Sequence, residues 1–85
     1  MNYEINIRKK AMKFIRRQES KQQQRIITAI YKLPLEGDIK KMQGEDNLYR
    51  LRVGDYRVLF EMRPQDNTLT LIDVTNTDNR GQVYK

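Results

Sequence analysis

Eighty-five residues, 38% hydrophobic and 33% charged, make one small domain with a modest core, too apolar for a disordered chain and too short to divide. A net charge of +6 and a pI near 9.8 favour a polyanionic partner: nucleic acid first, an acidic protein second, an anionic membrane third. Cysteine and histidine are both absent, which excludes disulfides, thiolate nucleophiles, Ser-His or Cys-His pairs and sulfur or imidazole metal sites, and leaves proton handling to Tyr, Lys, Asp or Glu.

The acidic residues are scattered among basic ones without ligand spacing, so neither a metal nor a cofactor is expected. No apolar run approaches the roughly 20 residues that span a bilayer. Lys9, Lys10, Lys13, Arg16 and Arg17 interrupt the region where a signal peptide would need its apolar stretch. The expected location is the cytoplasm, with no membrane partner.

In chain order, Tyr3 to Arg8 alternates apolar and polar residues and predicts a first strand. Ala11, Phe14, Ile15 and Gln18 then fall on one helical stripe, with the five basic residues just named around the outside. Ser20 opens a second helix, with Gln23 at capping-box spacing; Ile26, Ile27, Ile30 and Leu33 supply its buried face and Pro34 stops it. The two helices are expected to pair as a hairpin over one side of a sheet. In the connection 35–47, Asp38 to Met42 reads as a helical turn before Gly44, anchored by Ile39 and Met42, and Asp38, Lys40 and Lys41 receive no role.

Two alternating runs, about 48–53 and 56–63, flank Gly54-Asp55, a Gly-first dipeptide suited to a type II′ hairpin turn. That turn pairs Val53 with Tyr56, Arg52 with Arg57, Leu51 with Val58 and Arg50 with Leu59. Tyr49, Leu51, Val53, Tyr56, Val58 and Phe60 then share one face, and Arg50, Arg52 and Arg57 the other. Arg52 opposite Arg57 costs stability without a fold-level gain, a local violation of the kind found at functional sites. The competing reading is a solvated face whose long side chains splay into water. Pro64 to Asn67 signals a turn, and 67–75 alternates with both faces fairly apolar, as in a central strand. The tail 76–85 carries turn residues, then Val83 and Tyr84. The pattern is β-α-α-β-β-β: an α+β domain with a mostly antiparallel sheet, a helical hairpin on one face and the arginines on the open one.

Leu48-Tyr-Arg-Leu-Arg-Val-Gly-Asp-Tyr-Arg-Val58, preceded by Ile39-Lys-Lys-Met-Gln-Gly44 and followed by Asn79-Arg-Gly-Gln-Val-Tyr-Lys85, resembles the RelE/ParE superfamily of type II toxin–antitoxin toxins, and within it the RelE branch. The resemblance runs over nearly the whole chain. It implies a RelE-like fold and a metal-independent endoribonuclease that cleaves mRNA, often on the ribosome, and is silenced by a cognate acidic antitoxin. It also implies an active face built from basic residues of the central strands with a C-terminal arginine and tyrosine. Here these are Arg50, Arg52, Arg57, Arg80 and Tyr84. Many relatives carry a histidine before that arginine, where this chain has Asn79. Where a relative uses lysine as base, Arg50 or Arg52 cannot replace it, since an arginine pKa exceeds about 12.

RNA cleavage without a metal needs a base for the 2′-hydroxyl, charge stabilisation on the phosphorane and an acid for the leaving oxygen. Guanidiniums suit the second task. The candidate catalytic set is Arg52, Arg57, Arg80 and Tyr84: Arg57 and Arg80 as clamps, Arg52 with Arg50 holding the backbone, Tyr84 as either proton carrier or base-stacking platform. Lys9, Lys10, Lys13, Arg16 and Arg17 are a solvated helix face or a dock for ribosomal RNA phosphates. Glu61 and Asp73 read as salt-bridge partners, and Val83 as an anchor. Two other functions fit the same features: a ParE-type inhibitor of DNA gyrase, and a basic nucleic-acid-binding module without chemistry.

Overall fold

The turn at Gly54 organises the sheet. Gly54 has φ +58° while Asp55 does not enter the left-handed region, the pattern of a type II′ turn. It joins β3 (Leu48–Val53) to β4 (Tyr56–Pro64) in the expected register, with Arg52 opposite Arg57 and Leu51 opposite Val58. The computed structural model describes residues 2–44 and 46–79. Its other elements are β1 (Asn2–Ile7), α1 (Lys9–Arg16), α2 (Ser20–Tyr31), β2 (Asp38–Lys41) and β5 (Leu69–Asn79). The strands form one sheet in the order β1-β5-β4-β3-β2. β1 runs parallel to β5 and every other pair is antiparallel. The architecture is the expected α+β one, and β5 is indeed central.

Both helices cover the same face. Ala11, Ile15, Ile26, Ile30 and Leu33 bury against Leu51, Val53, Val58, Phe60, Ile72 and Val74 to form the hydrophobic core. Gln18 ties the helices to the sheet: its Oε1 accepts from the Tyr56 hydroxyl at 3.1 Å, and its carbonyl accepts from Gln23 Nε2 at 2.8 Å. Phe14 meets Tyr56 edge-on, their ring centroids 6.1 Å apart. The capping box does not form. Glu19, not Ser20, holds the N-cap position of α2 and makes no side-chain cap hydrogen bond, and the Gln23 side chain reaches back to the Gln18 and Arg16 carbonyls.

Two expectations about strands are corrected. Residues 38–41 form an edge strand, not a helical turn: Ile39 lies opposite Leu51 and Lys40 opposite Arg50. Pairing there satisfies a row of β3 backbone groups that a helical turn would leave open. Gly37, at φ +127°, immediately precedes the strand, and a Cβ on it would stand 2.6 Å from Leu51 Cδ1. β5 also continues past Thr75 to Asn79. The pairing skips a residue, since Leu59 lies opposite Asn76 whereas Phe60 lies opposite Val74. Thr75 is the extra residue of a β-bulge, and the bulge reverses which side chains face the core. Thr77 therefore points inward, donating its hydroxyl to the Ala11 carbonyl at 2.9 Å, and Asp78 is aimed at the open face.

Candidate functional site: the open arginine face

On the uncovered side of the sheet, backbone register aligns Asp38, Arg52, Arg57 and Asp78 in one row across β2, β3, β4 and β5. The adjacent row is Lys40, Arg50, Leu59 and Asn76. Acidic residues thus flank the two arginines on both sides. The expected cost of Arg52 facing Arg57 is therefore offset by a carboxylate beyond each partner.

Arg57 makes a two-pronged contact with Asp78, Nε to Oδ1 at 3.2 Å and Nη2 to Oδ2 at 2.8 Å. Asp38 is shared between Arg50 Nη2 at 3.5 Å and Arg52 Nε at 3.9 Å. The Arg50 side chain is only 17% exposed, so its guanidinium is held against the sheet.

A second ionic group lies further along the same face. The buried Asp73 carboxylate accepts from Arg8 Nε at 3.0 Å and Nη2 at 2.7 Å, and from Asn6 Nδ2 at 3.0 Å, with Arg63 Nη2 at 3.9 Å. Arg63 Nε donates to Glu61 at 2.9 Å. Glu61 and Asp73 are thus salt-bridge partners as expected, and the main partner of Asp73 is Arg8, which the sequence pattern marks only as the end of a strand.

The hydrogen bonds from Arg8 hold the Asp73 carboxyl below the ordinary carboxylate range, against the opposing effect of burial, with Asn6 and Arg63 helping. A depressed folded-state pKa contributes stability above the unfolded value of about 3.9 and loses it as pH falls further. Asp73→Asn is therefore expected to lower stability by roughly 1–2 kcal/mol at pH 7, with the gap to wild type closing below about pH 4. Thermal melts of both proteins from pH 7 to pH 3 check this, and a gap that stays constant would exclude the ionic role.

The candidate residues do not form one patch. Arg50, Arg52 and Arg57 lie together on the open face. Lys9, Lys10, Lys13, Arg16 and Arg17 are exposed on and just beyond α1, which covers the opposite face. Arg80 and Tyr84 lie outside the described residues. A cleft of about 660 Å³ lined by Lys21, Arg25, Lys32 and Val53 also belongs to the helix side and contains no candidate residue. An open, cationic sheet face suits a polymer backbone better than an enclosed small molecule. Among the described residues no three carboxylates stand close enough to hold a metal ion. No helix among them is long and apolar enough to cross a membrane.

A helical pair over one face of a five-stranded mixed sheet is the fold of the RelE-like structures that this chain resembles. Residues 5–80 match the model of the ParE toxin of the type II toxin–antitoxin system parDE, and the chain belongs to that family. It is a type II toxin–antitoxin toxin of the RelE/ParE superfamily. Solved structures are similar along almost the whole chain. One is the RelB–RelE antitoxin–toxin complex from Methanococcus jannaschii: 26% identity, TM-score 0.65, covering 92% of this chain and 93% of that one. Another is the archaeal RelE–RelB complex from Pyrococcus horikoshii OT3: 23% identity, TM-score 0.66, covering 96% and 99%. The toxin–antitoxin complex RelBE2 from Mycobacterium tuberculosis shares 18% identity at TM-score 0.70, covering 94% and 100%. The last two, at lower identity, bear on the fold alone. No curated protein matches the chain.

Proposed function

We propose that the protein is an endoribonuclease toxin that cleaves mRNA without a metal, on the ribosome in the cytoplasm, and is silenced by an acidic antitoxin. The observation that carries this reading is the arginine row on an uncovered sheet face, with the Arg57 guanidinium fork held in a fixed orientation. In the proposed reaction the 2′-oxygen, losing its proton to water, attacks the adjacent phosphorus and displaces the 5′-oxygen, which takes a proton from water, leaving a 2′,3′-cyclic phosphate. Arg57 and Arg80 stabilise charge on the phosphorane, Arg50 and Arg52 hold the backbone, and the α1 basic residues contact ribosomal RNA. The likeness to a RelE chain at 26% identity and the Arg80–Tyr84 spacing support the nuclease.

The match to the ParE family model supports a second reading, inhibition of DNA gyrase without chemistry of its own. Primer extension on cellular mRNA after brief expression, with plasmid topology measured in parallel, separates the two. Defined cuts in message are the expected result. Relaxed or cleaved plasmid with intact message would establish the gyrase poison, and neither effect would leave a non-catalytic binder.

The antitoxin partner follows from the +6 charge and from similar chains that are solved as complexes with RelB. Its acidic segment is drawn to the basic surface by the long-range field, which also speeds encounter. Co-expression of the neighbouring reading frame should restore growth.

Tyr84 is assigned to stacking on a base and orienting it, because a phenol with a pKa near 10 is a weak base at neutral pH and the chain has no histidine to assist it. Tyr84→Phe should then keep most of the cleavage rate. Tyr84→Ala should lose the roughly 1–3 kcal/mol of a base–aromatic stack. A Phe variant that binds message but does not cut it would transfer the proton-handling role to the hydroxyl.

A further inference from the structure

The two carboxylates that end the arginine row are not equivalent. Asp78 fills the Arg57 fork with two hydrogen bonds, at 3.2 and 2.8 Å. Asp38 is spread between two guanidiniums at 3.5 and 3.9 Å, at or beyond the limit of a hydrogen bond. Its side chain is 58% exposed and stands on a four-residue edge strand. The Nε atoms of Arg50 and Arg52 are buried and meet no hydrogen-bond acceptor among the described residues. A buried charged donor without an acceptor is costly, and the packed stem of Arg50 cannot swing out to water. This corner of the face has more donors than Asp38 can satisfy.

We propose that Arg50 and Arg52 form a phosphate site that Asp38 keeps occupied in the free protein: Asp38 is an internal competitor of the RNA backbone, whereas Asp78 positions Arg57. The inference rests on the reading that the arginine face binds RNA. A phosphodiester presents two non-bridging oxygens, enough to engage both guanidiniums, and arginine forks favour that arrangement. Asp38 can leave at little cost, since its carboxylate is already largely solvated and its contacts are long. Asp78 stays, because its two short bonds keep the Arg57 fork aimed while phosphate enters beside it. RNA then replaces one acidic neighbour and keeps the other.

Two binding measurements and one of cleavage kinetics test this. The first adds inorganic pyrophosphate to isotope-labelled protein and follows the Nε–H resonances of the arginines. The second measures affinity for a short 2′-O-methyl RNA, which cannot be cut because its 2′-oxygen is blocked. Pyrophosphate should shift Arg50 and Arg52. Asp38→Asn should bind the RNA roughly three- to tenfold more tightly at low salt, the gain fading as ionic strength screens the lost charge. In the Asp38→Asn/Arg52→Ala double variant the gain should disappear. Asp78→Asn should show no gain in affinity and a lower kcat at similar KM, with partial recovery in Asp78→Glu.

No pyrophosphate shift at either arginine overturns the proposal, as does a folded Asp38→Asn protein that binds RNA no better than wild type. Shifts and tighter binding without any cut in message would instead defeat the nuclease reading and leave the role of Asp38 standing.

Discussion

Arg57→Ala should lower mRNA cleavage about 10²–10³-fold in a protein that remains folded, the loss expected when one preorganised donor to a developing oxyanion is removed. The structure separates this catalytic effect from a structural one. Arg57 and Asp78 are each about one-third exposed, and a pair at that depth contributes at most about 1 kcal/mol after screening. The truncation also removes one of two like charges facing each other across β3 and β4, which returns part of that loss. Arg57→Lys makes the test sharper. Lysine keeps the charge but cannot span both Asp78 oxygens or two phosphorane oxygens at once, so it should recover stability well and rate poorly. Single-turnover cleavage of ribosome-bound message and a thermal melt of each variant decide the matter. Full activity in a folded Arg57→Ala protein would move the clamp elsewhere, and an unfolded one would make the residue structural. Arg80→Ala is expected to be similarly inactive, from its proposed role alone.

The hairpin was legible because two independent signals coincide: Gly54 permits the turn, and period-2 alternation on both sides admits only one register that buries Leu51, Val58 and Phe60. That register alone put Arg50, Arg52 and Arg57 on a common face. What the sequence concealed were their counter-charges. Asp38 and Lys40 belong to a four-residue edge strand, and Ile39 with Met42 has the i, i+3 spacing of a helical turn. Period gave no warning there. The usable signal was that Asp38 and Lys40 repeat the two-residue spacing of Arg52 and Arg50, as an antiparallel neighbour would. Asp78 was hidden by the bulge at Thr75, which inverts the phase of β5 between Val74 and Thr77. Simple alternation from Ile72 and Val74 would point Asp78 into the core. A residue-by-residue reading cannot see such an inversion, because the inserted residue is recognisable only against the partner strand. The pairing of Arg8 is hidden from the sequence for a related reason. Its bond to Asp73 spans 65 residues of sequence and depends on β1 lying parallel to β5.

Phe60→Ala should destabilise the protein by about 3–5 kcal/mol, the range for truncating a buried phenylalanine. Phe60 is fully buried in β4 between Tyr49 on one neighbouring strand and Val74 on the other. Its ring stacks on Tyr49 with centroids 5.5 Å apart and planes 18° from parallel. Truncation removes that contact together with the transfer free energy, and it leaves a cavity beneath both helices that the backbone cannot readily close. A domain of this size has roughly 5–15 kcal/mol in total, so the loss is a large fraction of it. Position 60 also adjoins the bulge. The bulge sets the phase of β5 relative to β4, and with it the approach of Asp78 to Arg57, so loosening the core here should reach the arginine face. The urea midpoint should therefore fall sharply at unchanged m-value, and cleavage should fall with it even where most molecules are still folded. Leu35→Ala, at a position 76% exposed, is the matched control and should change stability by no more than about 0.5 kcal/mol. A Phe60→Ala protein within about 1 kcal/mol of wild type would mean that the ring is not the centre of the core, and the coupling from bulge to arginine row would fail with it.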